Sequence, residues 1–214
     1  MANINGSFGL RPLSKLGGGS NSTGLTGYTP YEIASDNSDK IYHGQLVIPL
    51  ASGYIDHTAN AAGGTVSHLG VFQGCQYVSS VNGKTIWSNY WPGSGADSDF
   101  PVQAFINDDP SQLYVIATDA SWTSKANARA SVFLNANLST GITGTDATGL
   151  SLGRLAISTL ATTNSLALRV MGWLDDVENA DFASAGIGAI VRLNNSFNAP
   201  TGSIASGTPS TTGV

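Results

Sequence analysis

Between residues 28 and 193 the chain is a succession of short runs rich in β-branched and aromatic residues, each closed by Gly, Pro, Asn, Asp or Ser. Such punctuation leaves little room for the sustained 3.6-residue periodicity that a helical bundle needs. The runs fall at residues 28–33, 44–50, 69–78, 84–89, 102–107, 112–117, 166–174 and 188–193. Asn82-Gly83 lies between the third and fourth, and Asn-Gly favours a two-residue hairpin because both residues tolerate positive φ. Asp108-Asp109-Pro110-Ser111 supplies a tight turn between the fifth and sixth. Helical periodicity is confined to residues 122–134, around Ala126, Ala128 and Ala130, and to a single turn at 180–185. The pattern predicts an all-β body, a β-sandwich or distorted β-barrel of about eight main strands with long loops and little helix.

Two of the runs resemble each other. Leu69-Gly70-Val71-Phe72-Gln73-Gly74 and Leu168-Arg169-Val170-Met171-Gly172-Trp173 share spaced apolar residues and a late glycine. This is not a convincing internal repeat; it suits two strands that bulge or let another backbone approach closely.

The ends read differently from the middle. Residues 1–27 form an N-terminal arm and Gly/Ser linker, 28–198 a single β-rich domain, and 199–214 a flexible C-terminal tail of uncharged small residues. No acid precedes Glu32, so Arg11 and Lys15 give the arm a charge of +2. Phe8, Leu10, Leu13 and Leu16 are worth roughly 1.5–3 kcal/mol each if buried, so the arm is expected to dock, on its own body or on a partner. Gly17-Gly18-Gly19 would let it leave the body in any direction. Removing residues 1–16 is then expected to leave a folded body.

Composition narrows the function. A net charge of −5 and a pI of about 4.9 oppose nucleic-acid binding, which needs a basic stripe. One cysteine, Cys75, excludes a disulfide framework. No apolar run approaches the roughly 20 residues that span a bilayer, so no membrane partner is expected. The opening Met1-Ala2-Asn3-Ile4-Asn5-Gly6 lacks the basic and apolar regions of a secretory signal, so synthesis in a cytoplasm without export by that route is expected. Charged residues make up only 11%, against about a quarter in ordinary domains. A surface so poor in charge suits a protein that neighbours cover better than a free, concentrated enzyme.

Chemistry-bearing residues are sparse. Asp56-His57 with His68 offers two imidazoles and a carboxylate, at a spacing that matches no zinc signature. Asp97/Asp99, Asp108/Asp109 and Asp175/Asp176 sit in turn-like contexts where aspartate commonly bonds to nearby backbone. The Gly93–Asp99 stretch lacks the regular oxygen ligands and closing glutamate of an EF-hand. Cys75, inside a strand-like run, reads as a small buried thiol. No catalytic site, metal or cofactor is expected. The aromatics Trp87, Tyr90 and Trp91, with Tyr77 near, suit a glycan platform, an interface hot spot or the core of a sandwich.

Several stretches resemble the small capsid decoration (cement) or virion structural proteins of tailed bacteriophages, particularly phages of aquatic bacteria. They are Asn5-Gly6-Ser7-Phe8-Gly9-Leu10-Arg11-Pro12, Gly70-Val71-Phe72-Gln73-Gly74-Cys75-Gln76-Tyr77-Val78, Lys84-Thr85-Ile86-Trp87-Ser88-Asn89-Tyr90-Trp91-Pro92-Gly93 and Val191-Arg192-Leu193-Asn194-Asn195. The resemblance spreads over roughly residues 5–196 and contains no catalytic signature. It implies a non-enzymatic protein, made in the cytoplasm of a host bacterium, that binds the outer surface of a phage head, often as a trimer. The implied partners are the phage major capsid protein and further copies of this chain. Phe8, Leu10, Arg11, Leu13, Lys15 and Leu16 are then the expected capsid-binding residues. A carbohydrate-binding head-fibre or tail-associated protein, using Trp87, Tyr90 and Trp91, is the alternative.

Overall fold

The computed structural model describes residues 3, 6–16, 27–57, 68–139, 143–194 and 196–199. The expectations for the glycine linker and for the tail from residue 200 lie outside them. The strands are β1 (Arg11–Lys15), β2 (Thr29–Ile33), β3 (Leu46–Pro49), β4 (Ile55–His57), β5 (Gly70–Val78), β6 (Thr85–Ser88), β7 (Val102–Asn107) and β8 (Gln112–Ala117). They continue with β9 (Asn135–Ala136), β10 (Leu138–Ser139), β11 (Gly144–Thr145), β12 (Leu150–Ser151), β13 (Arg154–Leu155), β14 (Leu168–Trp173) and β15 (Gly188–Leu193). The fold is mostly β and sandwich-like, as the punctuated pattern predicts. A five-stranded sheet runs in the order β1-β8-β15-β14-β9, and a six-stranded sheet in the order β2-β7-β5-β3-β4 with β6 also on β5. The pairs β10–β13 and β11–β12 stand apart from both.

Each sheet covers a core. Leu10, Tyr114, Ile116, Leu168, Val170 and Val191 fill the one beneath the five-stranded sheet. Ile33, Val47, Phe72, Trp91, Val102 and Ile106 fill the other. Leu46 of β3 and Val71 of β5 belong to the first core, so the six-stranded sheet contributes to both.

The two predicted turns form, with different consequences. Ser79 N donates to Lys84 O at 2.9 Å and Gly83 has φ +65°, closing the β5–β6 hairpin around Asn82-Gly83. The turn at 108–111 is held by Ser111 N donating to Asp109 Oδ1 at 2.7 Å, but it carries the chain from one sheet to the other. The reason is side-chain direction: Val102, Ala104 and Ile106 of β7 fill one core, while Tyr114 and Ile116 of β8 fill the other. The buried Tyr114 hydroxyl ties the two strands by donating to Asn107, 3.2 Å from its carbonyl oxygen and 3.1 Å from Oδ1.

The two look-alike runs become one bulged strand in each sheet. Register shifts between Phe72 and Gly74 in β5 and between Val170 and Gly172 in β14. Gly74 has φ +141°, and a Cβ there would sit 2.9 Å from Ser88 O, so the bulge needs glycine for both conformation and space.

The opening residues are not a separable arm. Arg11–Lys15 forms β1, antiparallel to β8, and Leu10 is fully buried in the first core. Leu10 N donates to Gly44 O at 2.9 Å. Asn3 reaches farther, its Nδ2 donating to Asp181 O at 2.8 Å and its Oδ1 accepting from Asp181 N at 3.1 Å. The domain therefore includes residues assigned above to the arm, and deletion of 1–16 removes an edge strand and a core side chain. Pro12 concealed the strand in the sequence; on an edge, a residue without an N–H is tolerated.

The predicted helix is shorter than its pattern. It spans Lys125–Ser131 (α1), with Ser124 Oγ accepting from Asn127 N at 3.2 Å as the N-cap. It stops because Val132 is extended and Phe133 turns to φ +73°. The expected turn at 180–185 is not helical; a 3₁₀ turn lies just before it at Val177–Asn179, started by Asp176.

Candidate functional site

The β6 segment separates the three platform residues. Trp91 is fully buried, its Nε1 donating to Asn37 O at 3.1 Å and its ring meeting Tyr77 edge-on at 5.4 Å. It is a core residue and not part of a platform, because its backbone pairs with Ile41 and brings the indole inward. Tyr90 is half-buried and stacked on Tyr42, with ring centroids 5.6 Å apart. The Tyr42 hydroxyl donates to Asp146 Oδ1 at 2.6 Å; burial, and then this carboxylate, push its pKa up to about 12. Tyr42 and Tyr90 thus help fasten the β11–β12 hairpin to the body.

Trp87 alone of the three is open, 69% exposed. It stands on the outer side of β6, its ring parallel to Phe105 of β7 at 5.5 Å. The strand register completes this face. Trp87 is opposite Gln76 of β5, Gln76 is opposite Gln103 of β7, and Gln103 is opposite Glu32 of β2. Paired residues project to the same side of a sheet, so these four form one row across four strands. Among the described residues, none of Glu32, Gln76 and Gln103 uses its side chain in a hydrogen bond or ion pair. Sequence reasoning missed Phe105 and the three polar partners. Part of the signal was present: in Val102-Gln103-Ala104-Phe105-Ile106, alternation puts Gln103 and Phe105 together, opposite the buried residues.

The six expected capsid-binding residues divide between interior and surface. Leu10 is buried and unavailable to a partner. Phe8 is half-buried beneath the Arg11 guanidinium, 4.5 Å from the ring centroid. Lys15 Nζ lies 2.8 Å from Asp109 Oδ2, so the cation meets this chain's own carboxylate. Burial raises the Asp109 pKa, but the hydrogen bonds from Lys15 and Ser111 N prevail and leave it below the ordinary value. Leu13 and Leu16 remain exposed, at 39% and 45%.

Several titratable side chains bond within the chain itself. His57 Nδ1 lies 3.0 Å from Asp56 Oδ1, and Asn37 Nδ2 donates to the same oxygen at 3.2 Å. The Asp56 hydrogen bond raises the His57 pKa against the opposing effect of burial. Asp39 joins this pair, with its ligand atom within 4.8 Å of theirs. His68 does not: its ring is fully buried without a hydrogen bond, and burial pushes its pKa down to about 4. The buried Cys75 thiol donates to Tyr90 O at 3.4 Å, and burial pushes its pKa up to about 12, which keeps it protonated near neutrality. Asp97 Oδ1 accepts from Asp99 N at 3.0 Å and Asp176 Oδ1 from Glu178 N at 3.2 Å. Asp108 holds Thr29 Oγ1 at 2.9 Å and the Tyr31 hydroxyl at 2.8 Å. Among the described residues, no serine, threonine or cysteine is hydrogen-bonded to a histidine. No family model, curated protein or solved structure matches the chain.

Proposed function

We propose that this chain is a structural virion protein that decorates the outer surface of a phage head and ties neighbouring major capsid subunits together. The observation that supports the reading is the divided use of the N-terminal segment. Leu10 is locked in the core and β1 is paired with β8, while Leu13 and Leu16 stay exposed on the outer edge of that sheet. A strand fixed at its base holds its apolar side chains in place before binding, so little ordering entropy is lost on docking. Pro12 and the register shift between Pro12 and Ser14 interrupt the edge ladder, which discourages indiscriminate strand addition and leaves side-chain contacts to make the attachment. The sparse charge agrees with a surface covered by neighbours. Repetition, as in a trimer, multiplies modest contacts. The reading involves no catalysis and no cofactor.

The test adds full-length protein to undecorated heads and measures occupancy after washing. The variant carrying both Leu13→Asp and Leu16→Asp should melt like the parent and occupy heads at least tenfold less. Equal occupancy would remove this edge from the attachment, and absence of the parent protein from washed heads would overturn the function itself.

A further inference from the structure

We infer that the exposed part of the six-stranded sheet's face opposite the second core is a binding site for a neutral oligosaccharide, with Trp87 as the stacking residue and Gln76, Gln103 and Glu32 as the hydroxyl-binding groups. The site is independent of head attachment, which the preceding reading assigns to the β1 edge.

The chemistry of the row favours this occupant. A sugar ring presents C–H groups on its flat faces and hydroxyls around its rim, so it is recognised by an aromatic face together with planar polar groups. Trp87 supplies the aromatic face: it is 69% exposed, and Phe105 stacked at 5.5 Å holds the indole in orientation. Gln76 and Gln103 each offer two N–H donors and a carbonyl acceptor, and Glu32 a carboxylate acceptor. Their side chains have no competing hydrogen bond or ion pair among the described residues, so a ligand would not have to displace an internal partner. The directly paired positions cross four strands, a span of about 14 Å at roughly 4.8 Å per strand. That length suits several linked rings better than one.

Charge points to a neutral ligand. The row carries one carboxylate and no cation, so an anionic saccharide would meet repulsion at Glu32 without compensation. Rigidity matters as well. All four residues lie on strands, where pairing on both sides of β5 and β7 fixes their spacing, and a preformed site loses less entropy on binding. The inward side chains of the same strands, Ala104, Ile106, Cys75 and Tyr77, are buried in the second core, so the face stands on a packed support.

The experiment titrates the full-length protein with cellohexaose, chitohexaose and maltohexaose, by calorimetry and tryptophan fluorescence. At least one should bind saturably and blue-shift the emission, because Trp87 is far more exposed than the buried Trp91 and Trp122. Trp87→Ala should weaken that binding at least tenfold, and the combined Gln76→Ala and Gln103→Ala change several-fold, with melting temperatures within about 4 °C of the parent's. Trp87→Ala should occupy undecorated heads like the parent. Absence of saturable binding to all three sugars, or binding unaffected by Trp87→Ala, overturns the inference. If Trp87→Ala instead loses the heads while no sugar binds, the face docks protein: the glycan inference fails and head attachment stands.

Discussion

Trp87 and Trp91 are four positions apart and have opposite fates. Trp87 ends up 69% exposed and Trp91 fully buried. The pleat of β6 accounts for the first, since Ile86 packs against the second core and its neighbours Thr85 and Trp87 point the other way. The chain then leaves the ladder. Ser88 Oγ donates to Tyr90 O at 2.6 Å and accepts from Tyr90 N at 3.2 Å, forming a short side-chain-closed turn. Beyond it Trp91 exchanges backbone hydrogen bonds with Ile41, at 2.8 and 3.1 Å, and its ring is delivered to the interior. One indole fills space that nothing else fills, and the other is held where water reaches it. A cluster of aromatics in sequence is therefore not one site: the backbone between them sorts them.

The largest test of this contrast is to truncate both. Trp91→Ala should cost about 3–5 kcal/mol, the range for emptying a large aromatic from a packed core. Trp87→Ala should cost less than about 1 kcal/mol, mainly the loss of stacking on Phe105. Denaturant midpoints measure both, and comparable losses would erase the distinction. The same logic applies at the N-terminal strand with a slightly smaller effect. Leu10→Ala should destabilise by about 2–4 kcal/mol, whereas Leu13→Ala, three residues on, should stay within about 1 kcal/mol. A Leu10→Ala protein as stable as the parent would return the segment to being a separable arm.

His68 is the interior counterpart of Trp87, a side chain whose surroundings suit it poorly. Its ring is buried with neither nitrogen bonded, and burial lowers its pKa from 6.5 to about 4. Between those values the unfolded chain binds a proton that the folded one refuses, so stability falls as the pH drops from about 6.5 towards 4. The loss amounts to about 3 kcal/mol at most. His68→Met should flatten that limb, seen as a smaller difference in denaturant midpoint between neutral and acid pH than in the parent. An unchanged acid limb would show that His68 is not its source.

Strand existence was the most legible feature in the sequence. Val102–Asn107, Gln112–Ala117 and Gly188–Leu193 carry the predicted ends, because each alternates or runs apolar between clear turn residues. Partnership was not legible. Asp108-Asp109-Pro110-Ser111 specifies a tight turn but not that the strands on either side enter different sheets, since that depends on which core each strand's apolar residues meet. Short pairs such as β11–β12 left no periodicity to read. They depend on contacts far away: a Cβ on Gly149 would collide with the Asn89 side chain. The candidate face was half legible, because Trp87 was evident as a residue, whereas Gln76, Gln103 and Glu32 joined it only through register.

The N-terminal strand also imposes an order on folding. Arg11 pairs with Val115, and Asn3 bonds to Asp181, 178 residues away. During synthesis neither contact can form until its distant partner has been made. At about 5–20 residues per second the wait for Asp181 is roughly nine to thirty-six seconds. The interior of the five-stranded sheet, β8-β15-β14, comes from residues 112–193, so β1 has a finished edge to join only near the end. Contacts of such long range slow folding through their loop-closure entropy. Within this domain the segment made earliest is thus the one that closes the fold last, with Leu10 sealing the core.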